Sequence, residues 1–200
     1  MTRLTHLLAP LAVAAAVVLS GCAAEREPAP ELTVAEPAPT RTTPVGPPDA
    51  TDPVPSGPVM SMTVLPTDCE EMLDDAVLAQ LADIPLNDPS FGESGVRADR
   101  SLRCVWSTPG SQTTRLITTV NYAPEQPVLD YLNALMADGF VCYKPAGGLR
   151  CEATWENETV PVTDGRTLFY RDGVLIDTQY SNLAPSGYTT AIIRSLWPEG

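Results

Sequence analysis

Pro28, Pro30, Pro37, Pro39, Pro44, Pro47, Pro48, Pro53, Pro55 and Pro58 crowd into one stretch of a 200-residue chain and take nearly half of its 21 prolines. Each proline fixes its own φ and removes a backbone donor, so neither a helix nor an inner strand can run through the stretch. Its apolar residues repeat with neither the strand period of two nor the helical period of 3.6. Such a segment cannot bury enough surface to offset the entropy of ordering it. Ala23 to about Val64 is therefore expected to be a disordered tether of polyproline II character. It would reach on the order of 130 Å fully extended and roughly 40 Å as a coil. What folds must be written in 65–200, enough for one domain.

Ahead of the tether stand the parts of a secretory signal. Arg3 and His6 lie in a positive leader, and Leu7 to Leu19 form an apolar run broken only by Pro10. That run is shorter than the roughly 20 residues a bilayer-spanning helix wants. It closes on Leu19-Ser20-Gly21-Cys22. On these residues the amino terminus resembles a bacterial lipoprotein signal. The resemblance implies that residues 1–21 are removed and that Cys22 carries a thioether-linked diacylglycerol, often with an acylated amine. At about 0.8 kcal/mol per buried CH₂, two or more chains make a durable anchor where one does not. The implied address is the extracytoplasmic face of the cell membrane, with the membrane itself a partner through Cys22.

The chain has 25 acidic residues against 12 Lys and Arg. An acidic balance repels phosphate backbones, so no nucleic-acid partner is expected, and the charge serves solubility. His6 is the sole histidine and leaves with the signal. What remains cannot use a Ser-His-Asp triad, a Cys–His pair or a histidine metal site. Lys144 is the sole lysine, no S-x-x-K accompanies it, and it reads as a surface residue. The densest carboxylates, Glu70-Glu71 and Asp74-Asp75, are sequence neighbours about 100° apart on a helix. They form a solvated face rather than the converging pair that glycoside cleavage needs. Asn87-Asp88 with Glu93 lacks the ligand order of a calcium loop. Asn157-Glu158-Thr159 matches a glycosylation sequon, an accidental match in a bacterial lipoprotein. Trp106, Trp155, Trp197, Tyr122 and Tyr143 can line a groove, but sheet-face packing is their first expectation. No cofactor, metal or catalytic residue is expected.

From Leu65 the pattern changes. Thr67 and Glu70 have the form of a capping box, Asp68, Glu70 and Glu71 suit a helix start, and Cys69, Leu73, Val77 and Leu81 fall on one stripe. The spacing predicts a helix that Pro85 stops near Ile84. Leu86 to Ser101, with Pro89, Gly92 and Gly95, reads as a long loop. Two strands follow over 102–108 and 114–122, joined through Pro109-Gly110 as a hairpin. A second helix is predicted over 125–138, with Val128, Leu132, Leu135 and Met136 as its apolar face and Gly139 as its stop. Phe140 to Asn182 reads as a meander turning at Asn157-Glu158, Asp164-Gly165 and Asp172-Gly173. The last is the strongest hairpin signal; it sets Arg171 opposite Val174 and Phe169 opposite Ile176. A final helix runs over 186–197, with Ile192, Ile193, Leu196 and Trp197 apolar and Pro198 its stop. The expected order, α-ββ-α-βββββ-α, is an α+β domain: a mostly antiparallel sheet of up to seven strands packed with three helices.

Beyond Cys22 lie Cys69, Cys104, Cys142 and Cys151, an even number in an exported domain, hence two disulfides among three connectivities. If Pro145-Ala146-Gly147-Gly148 is a four-residue loop, Cys142 faces Cys151 at bridging distance. Cys69 then pairs with Cys104 and pins the first helix to the first strand. Loop closure makes the Cys142–Cys151 and Cys69–Cys104 bridges worth about 2.7 and about 3.8 kcal/mol respectively. With Cys69, Leu73, Cys104 and Trp106, the helix cysteine and the later C-x-W strand resemble a family of high-GC Gram-positive lipoproteins of unknown function. The element order is similar to that of the Mog1/PsbP-like α/β sandwich, a likeness of topology alone. The expected function is a membrane-anchored, non-enzymatic domain binding an envelope protein or component. The alternatives are a carrier of a small apolar ligand or lipid and, more distantly, a carboxylate-dependent wall hydrolase.

Overall fold

Asp172 and Gly173 both take positive φ, 51° and 79°, the conformation that a two-residue hairpin needs and that Asp-Gly supplies at least cost. Around such turns a computed structural model describes residues 54–199; the signal, Cys22 and the tether through residue 53 lie outside the described residues. The elements are α1 (Asp75–Leu81), β1 (Gly95–Val96), β2 (Leu102–Ser107), β3 (Arg115–Tyr122), α2 (Glu125–Ala137), β4 (Val141–Tyr143), β5 (Leu149–Glu156), β6 (Thr163–Arg171), β7 (Val174–Ser181) and α3 (Tyr188–Leu196). All seven strands join one antiparallel sheet in the order β1-β2-β3-β7-β6-β5-β4. The domain is α+β, as its sequence predicts. Arg171 stands opposite Val174, Phe169 opposite Ile176 and Cys142 opposite Cys151, the expected registers. Both disulfides, Cys69–Cys104 and Cys142–Cys151, are formed.

Several expectations are corrected. The first helix does not begin at Thr67. The Asp68 carboxylate accepts from the Glu70 and Glu71 N–H groups at 2.8 and 3.0 Å and closes a local turn. Asp74 then caps the helix proper by accepting from Val77 N–H at 3.0 Å. Two short acidic caps in succession divide what hydrophobic spacing alone joins, yet Cys69, Leu73, Val77 and Leu81 are all buried. Asp164-Gly165 is not a turn but lies inside β6, so four strands rather than five follow α2. Within the 86–101 loop a 3-10 turn (Pro89–Phe91) and the two-residue β1 are ordered onto the sheet. On α2, Val128, Leu132 and Leu135 are buried as expected while Met136 is exposed.

Residues 54–64, which composition assigns to the tether, run extended along the sheet. Gly57 N–H donates to Tyr122 O at 3.0 Å, Ser61 Oγ to Asp172 O at 2.7 Å, and Tyr122 OH to Thr63 O at 3.0 Å. Met60, Met62 and Val64 point outward and Val59, Ser61 and Thr63 inward. Met60, Met62 and Val64 alternate with Ser61 and Thr63, but with the apolar side outward, the reverse of a core-facing strand.

The strand registers write the sheet as crosswise rows, because Cα partners share a face. One face carries the rows Tyr143–Arg150–Phe169–Ile176–Val120–Leu102, then Val141–Glu152–Thr167–Thr178–Thr118–Cys104, then Thr154–Gly165–Tyr180–Leu116–Trp106. The apolar ends of these rows, on β2, β3 and β7, pack under α1 and α3 with Leu65, Met72, Val77, Tyr188 and Ile192. The opposite face packs Cys151, Leu168, Tyr170 and Leu175 under Val128, Leu132 and Leu135 of α2. Its remaining half lies under the 86–101 loop. There Arg103 Nη2 donates to Phe91 O at 3.3 Å, Val105 N–H donates to Ser94 Oγ at 2.8 Å, and the Arg115 guanidinium lies 5.4 Å from the Phe91 ring centre.

Candidate functional site

Covering is therefore unequal. One face is covered by α2 over β5, β6 and β7 and flanked by the 86–101 loop at β2. The other is roofed over β2, β3 and β7 and out to Phe169 of β6, which is buried against Trp197; only β4 and β5, the open half, keep partly exposed side chains there. On β5 the row members exposed there are polar where their partners under the helices are apolar: Arg150 against Ile176 and Val120, Glu152 against Cys104. A strand buried on both faces would be apolar on both. β5 is instead written Arg150, Glu152, Thr154 on one side and Leu149, Cys151, Ala153 on the other.

Its charges are paired. Arg150 Nε and Nη2 donate to Glu152 Oε2 at 2.9 and 2.8 Å, and Tyr143 OH donates to Glu152 Oε1 at 2.8 Å. The Arg150 guanidinium also lies 5.9 Å from the Tyr143 ring centre. Partial burial, and then the bond to Glu152, raise the Tyr143 phenol above its ordinary value. Burial, and then the Glu152 charge, do the same for Tyr180. Val141, on the edge strand, is 65 % exposed.

Where the open half meets the start of α3, a cleft of about 210 Å³ is sunk between Arg150, Glu152, Thr167 and Tyr180 on the sheet and Gly187, Thr189 and Thr190 on the helix. Two glycines shape it. A Cβ on Gly165 would sit 2.3 Å from Tyr180 Cζ, so its absence lets the Tyr180 ring lie across β6. Gly187, at φ 82°, turns the chain into α3 and caps it without a side chain. The first N–H groups of the helix, among them those of Thr189 and Thr190, thus have no intrahelical acceptor. Behind the cleft runs a buried chain of hydroxyls. Thr118 Oγ1 lies 3.1 Å from Thr178 Oγ1 and donates to Tyr188 OH at 3.0 Å. Burial pushes the Tyr188 phenol up to about 12.

The residues singled out by sequence are dispersed. Cys22 lies outside the described residues. Asp74 caps α1, and Glu70, Glu71 and Asp75 are exposed on that side of the domain. Asn87 Oδ1 accepts from Ser94 N–H and Asp88 Oδ1 from Ser90 N–H, both at 2.8 Å, so each shapes the loop. Among the described residues no three His, Cys, Asp or Glu side chains are placed to hold a metal ion together. Lys144 is exposed beside the β4–β5 loop. Asn157 Oδ1 accepts from Thr159 and Val160 N–H at 2.9 and 3.0 Å. Trp106 is buried beneath α1, Trp155 packs on the α2 side, and Trp197 meets Phe169 edge to face at 5.8 Å between ring centres. The five aromatics form no common groove; only Tyr143 borders the open face.

Arg150, Glu152, Thr167, Tyr180 and Thr189 were not singled out by sequence. The signal for most of them was present: extending the Asp172-Gly173 register sets Gly165 opposite Tyr180 and Thr167 opposite Thr178, and the Cys142–Cys151 register sets Tyr143 opposite Arg150. Comparison with family models, with curated proteins and with solved structures finds no match for this chain in any of the three. Among the described residues no helix is long and apolar enough to cross a membrane.

Proposed function

We propose that this chain is a lipid-anchored extracytoplasmic binding domain, with no reaction of its own, and that the open half of its sheet receives an envelope protein or component. The observation that carries the reading is the unequal covering of the sheet. An antiparallel sheet face with charged, aromatic and threonine side chains, beside a cleft and braced by the Cys142–Cys151 bridge, is a rigid surface of the kind on which recognition is built. The anchor is supported by Leu19-Ser20-Gly21-Cys22, and the binding role by the lack of histidine beyond His6. Arg150, Glu152 and the threonines suit a polar group better than the small apolar cargo of the alternative reading.

The test places a photo-crosslinking residue at Thr154 on the open face or, as a control, at Asn133 on the outer side of α2, in the membrane-anchored protein. Intact mass is expected to reveal a cross-linked species from Thr154, absent from Asn133 and lost on Arg150→Ala. Equal yields from both positions, or none from Thr154, would overturn the reading. In the same spectra Cys22→Ala should remove the lipid mass; an unchanged mass would sink the anchor.

A further inference from the structure

We propose that the cleft at the start of α3 is a carboxylate site, taking the carboxylate of a small organic acid or of a peptide's carboxyl terminus; this rests on the binding-domain reading above. Two independent observations converge on it. The first is the helix start. α3 runs nine residues, and its opening N–H groups at Thr189 and Thr190 border the cleft with no side-chain cap to satisfy them. Such an end carries roughly half a positive charge.

The second is a pair of idle hydroxyls. Thr167 and Thr189 are each only 7 % exposed, and both line the cleft. Neither hydroxyl has a hydrogen-bond partner within the protein, whereas the neighbouring hydroxyls of Thr118, Thr178 and Tyr188 are bonded to one another. Each hydroxyl oxygen keeps only a small accessible edge at the cleft, where a guest oxygen can take the place of water. One on the sheet side and one on the helix side, beside free helix N–H groups, they define a place for a guest oxygen.

Charge selects the guest. The Arg150 guanidinium borders the same cleft and spends Nε and Nη2 on Glu152 Oε2, leaving Nη1 for a ligand. Both Glu152 oxygens are already engaged, by Arg150 and by Tyr143 OH. The site thus offers one partly neutralised cation and half a helix charge. That balance matches a singly charged carboxylate, whereas a doubly charged phosphate would meet Glu152 without enough positive charge to offset it. The formal net charge of −13 bears little on contacts inside the cleft, because charges more than about 8 Å away are largely screened at physiological salt. The cleft volume holds a carboxylate with a short side chain, not an extended lipid.

The test titrates the isotope-labelled full-length chain with sodium N-acetylalaninate, with N-acetylalanine amide as the neutral analogue and inorganic phosphate as the competing anion. Expected are saturable shifts of the Thr189 and Thr190 amide signals and of the Arg150 side-chain signal. The neutral amide should give none, and phosphate should bind more weakly. Thr189→Val should weaken binding about tenfold, with affinity restored by Thr189→Ser, and Arg150→Gln should weaken it by about tenfold or more. Amide spectra verify that each variant stays folded. The proposal is overturned if the amide binds as well as the carboxylate, if phosphate binds more tightly, if the α3 signals do not move, or if the folded variants bind as the wild type does. A failed titration with the Thr154 cross-link intact removes the carboxylate site alone. Loss of both removes the open-face reading as well.

Discussion

Two residues show how a single position can be decided by a neighbour distant in sequence. Gly165 follows an aspartate and reads as a turn, yet it lies in a strand because the Tyr180 ring occupies the space its Cβ would take. Tyr188 opens α3 and is buried against Thr118. Its phenol is pushed from 10.0 to about 12, chiefly by burial, with the Thr118 bond opposing. The sign follows from linkage. The unfolded chain loses this proton near the ordinary value and the folded chain only higher, so the stabilisation is complete below pH 10 and is lost as pH rises toward 12. Urea melts between pH 9 and 12 should show stability falling, with Tyr188 supplying on the order of 2 kcal/mol of the fall. Tyr188→Phe should flatten that slope while the other buried tyrosines keep some of it. An equally steep slope in the variant would contradict the assignment.

At the scale of elements, caps and buried charges set what hydrophobic spacing leaves open. The stripe from Cys69 to Leu81 is correctly read as buried, but Asp68 and Asp74 cut it into a turn and a short helix. Beneath α2, Arg166 donates from Nε and Nη2 to the two oxygens of Asp177 at 2.8 and 2.9 Å, with side chains only 1 and 6 % exposed. Burial is the largest influence on the Arg166 guanidinium and pulls its pKa down. The bonds to and charge of Asp177 outweigh it and hold the group above its ordinary value. The Tyr131 ring of α2 lies 5.7 Å from the guanidinium carbon, so the pair ties β6 and β7 to the helix above. Removing one partner strands a buried charge, so Asp177→Ala should cost about 3–5 kcal/mol in denaturant melts. The double change Arg166→Met with Asp177→Leu should cost far less. A double variant as unstable as Asp177→Ala alone would show that the pair itself is strongly stabilising.

For the whole molecule, the two bridges act at different ranges. Cys142–Cys151 closes one hairpin, with a sequence separation of 9, whereas Cys69–Cys104 spans 35 residues and ties the chain before α1 to β2. Loop closure then predicts a loss of about 3.8 kcal/mol for the Cys69→Ala, Cys104→Ala pair and about 2.7 kcal/mol for Cys142→Ala with Cys151→Ala. Denaturant midpoints measured side by side would decide, and the reverse order would mean that residual structure or local packing, not loop length, dominates.

By itself the sequence determined the α+β class, the second helix to within a residue of its end, the Asp172-Gly173 hairpin with its register and the pairing of four cysteines. All of these rest on local rules: periodicity, turn residues with positive φ, and the geometry of directly opposed strand positions. Only the tertiary structure decided which half of the sheet stays open and that residues 54–64 lie along it. It also made Gly165 a seat for Tyr180 and gathered Arg150, Thr167 and Thr189 at one cleft. Those outcomes depend on where helices distant in sequence come to rest on the sheet. A strand pattern fixes which side chains share a face, but not what, if anything, will cover them.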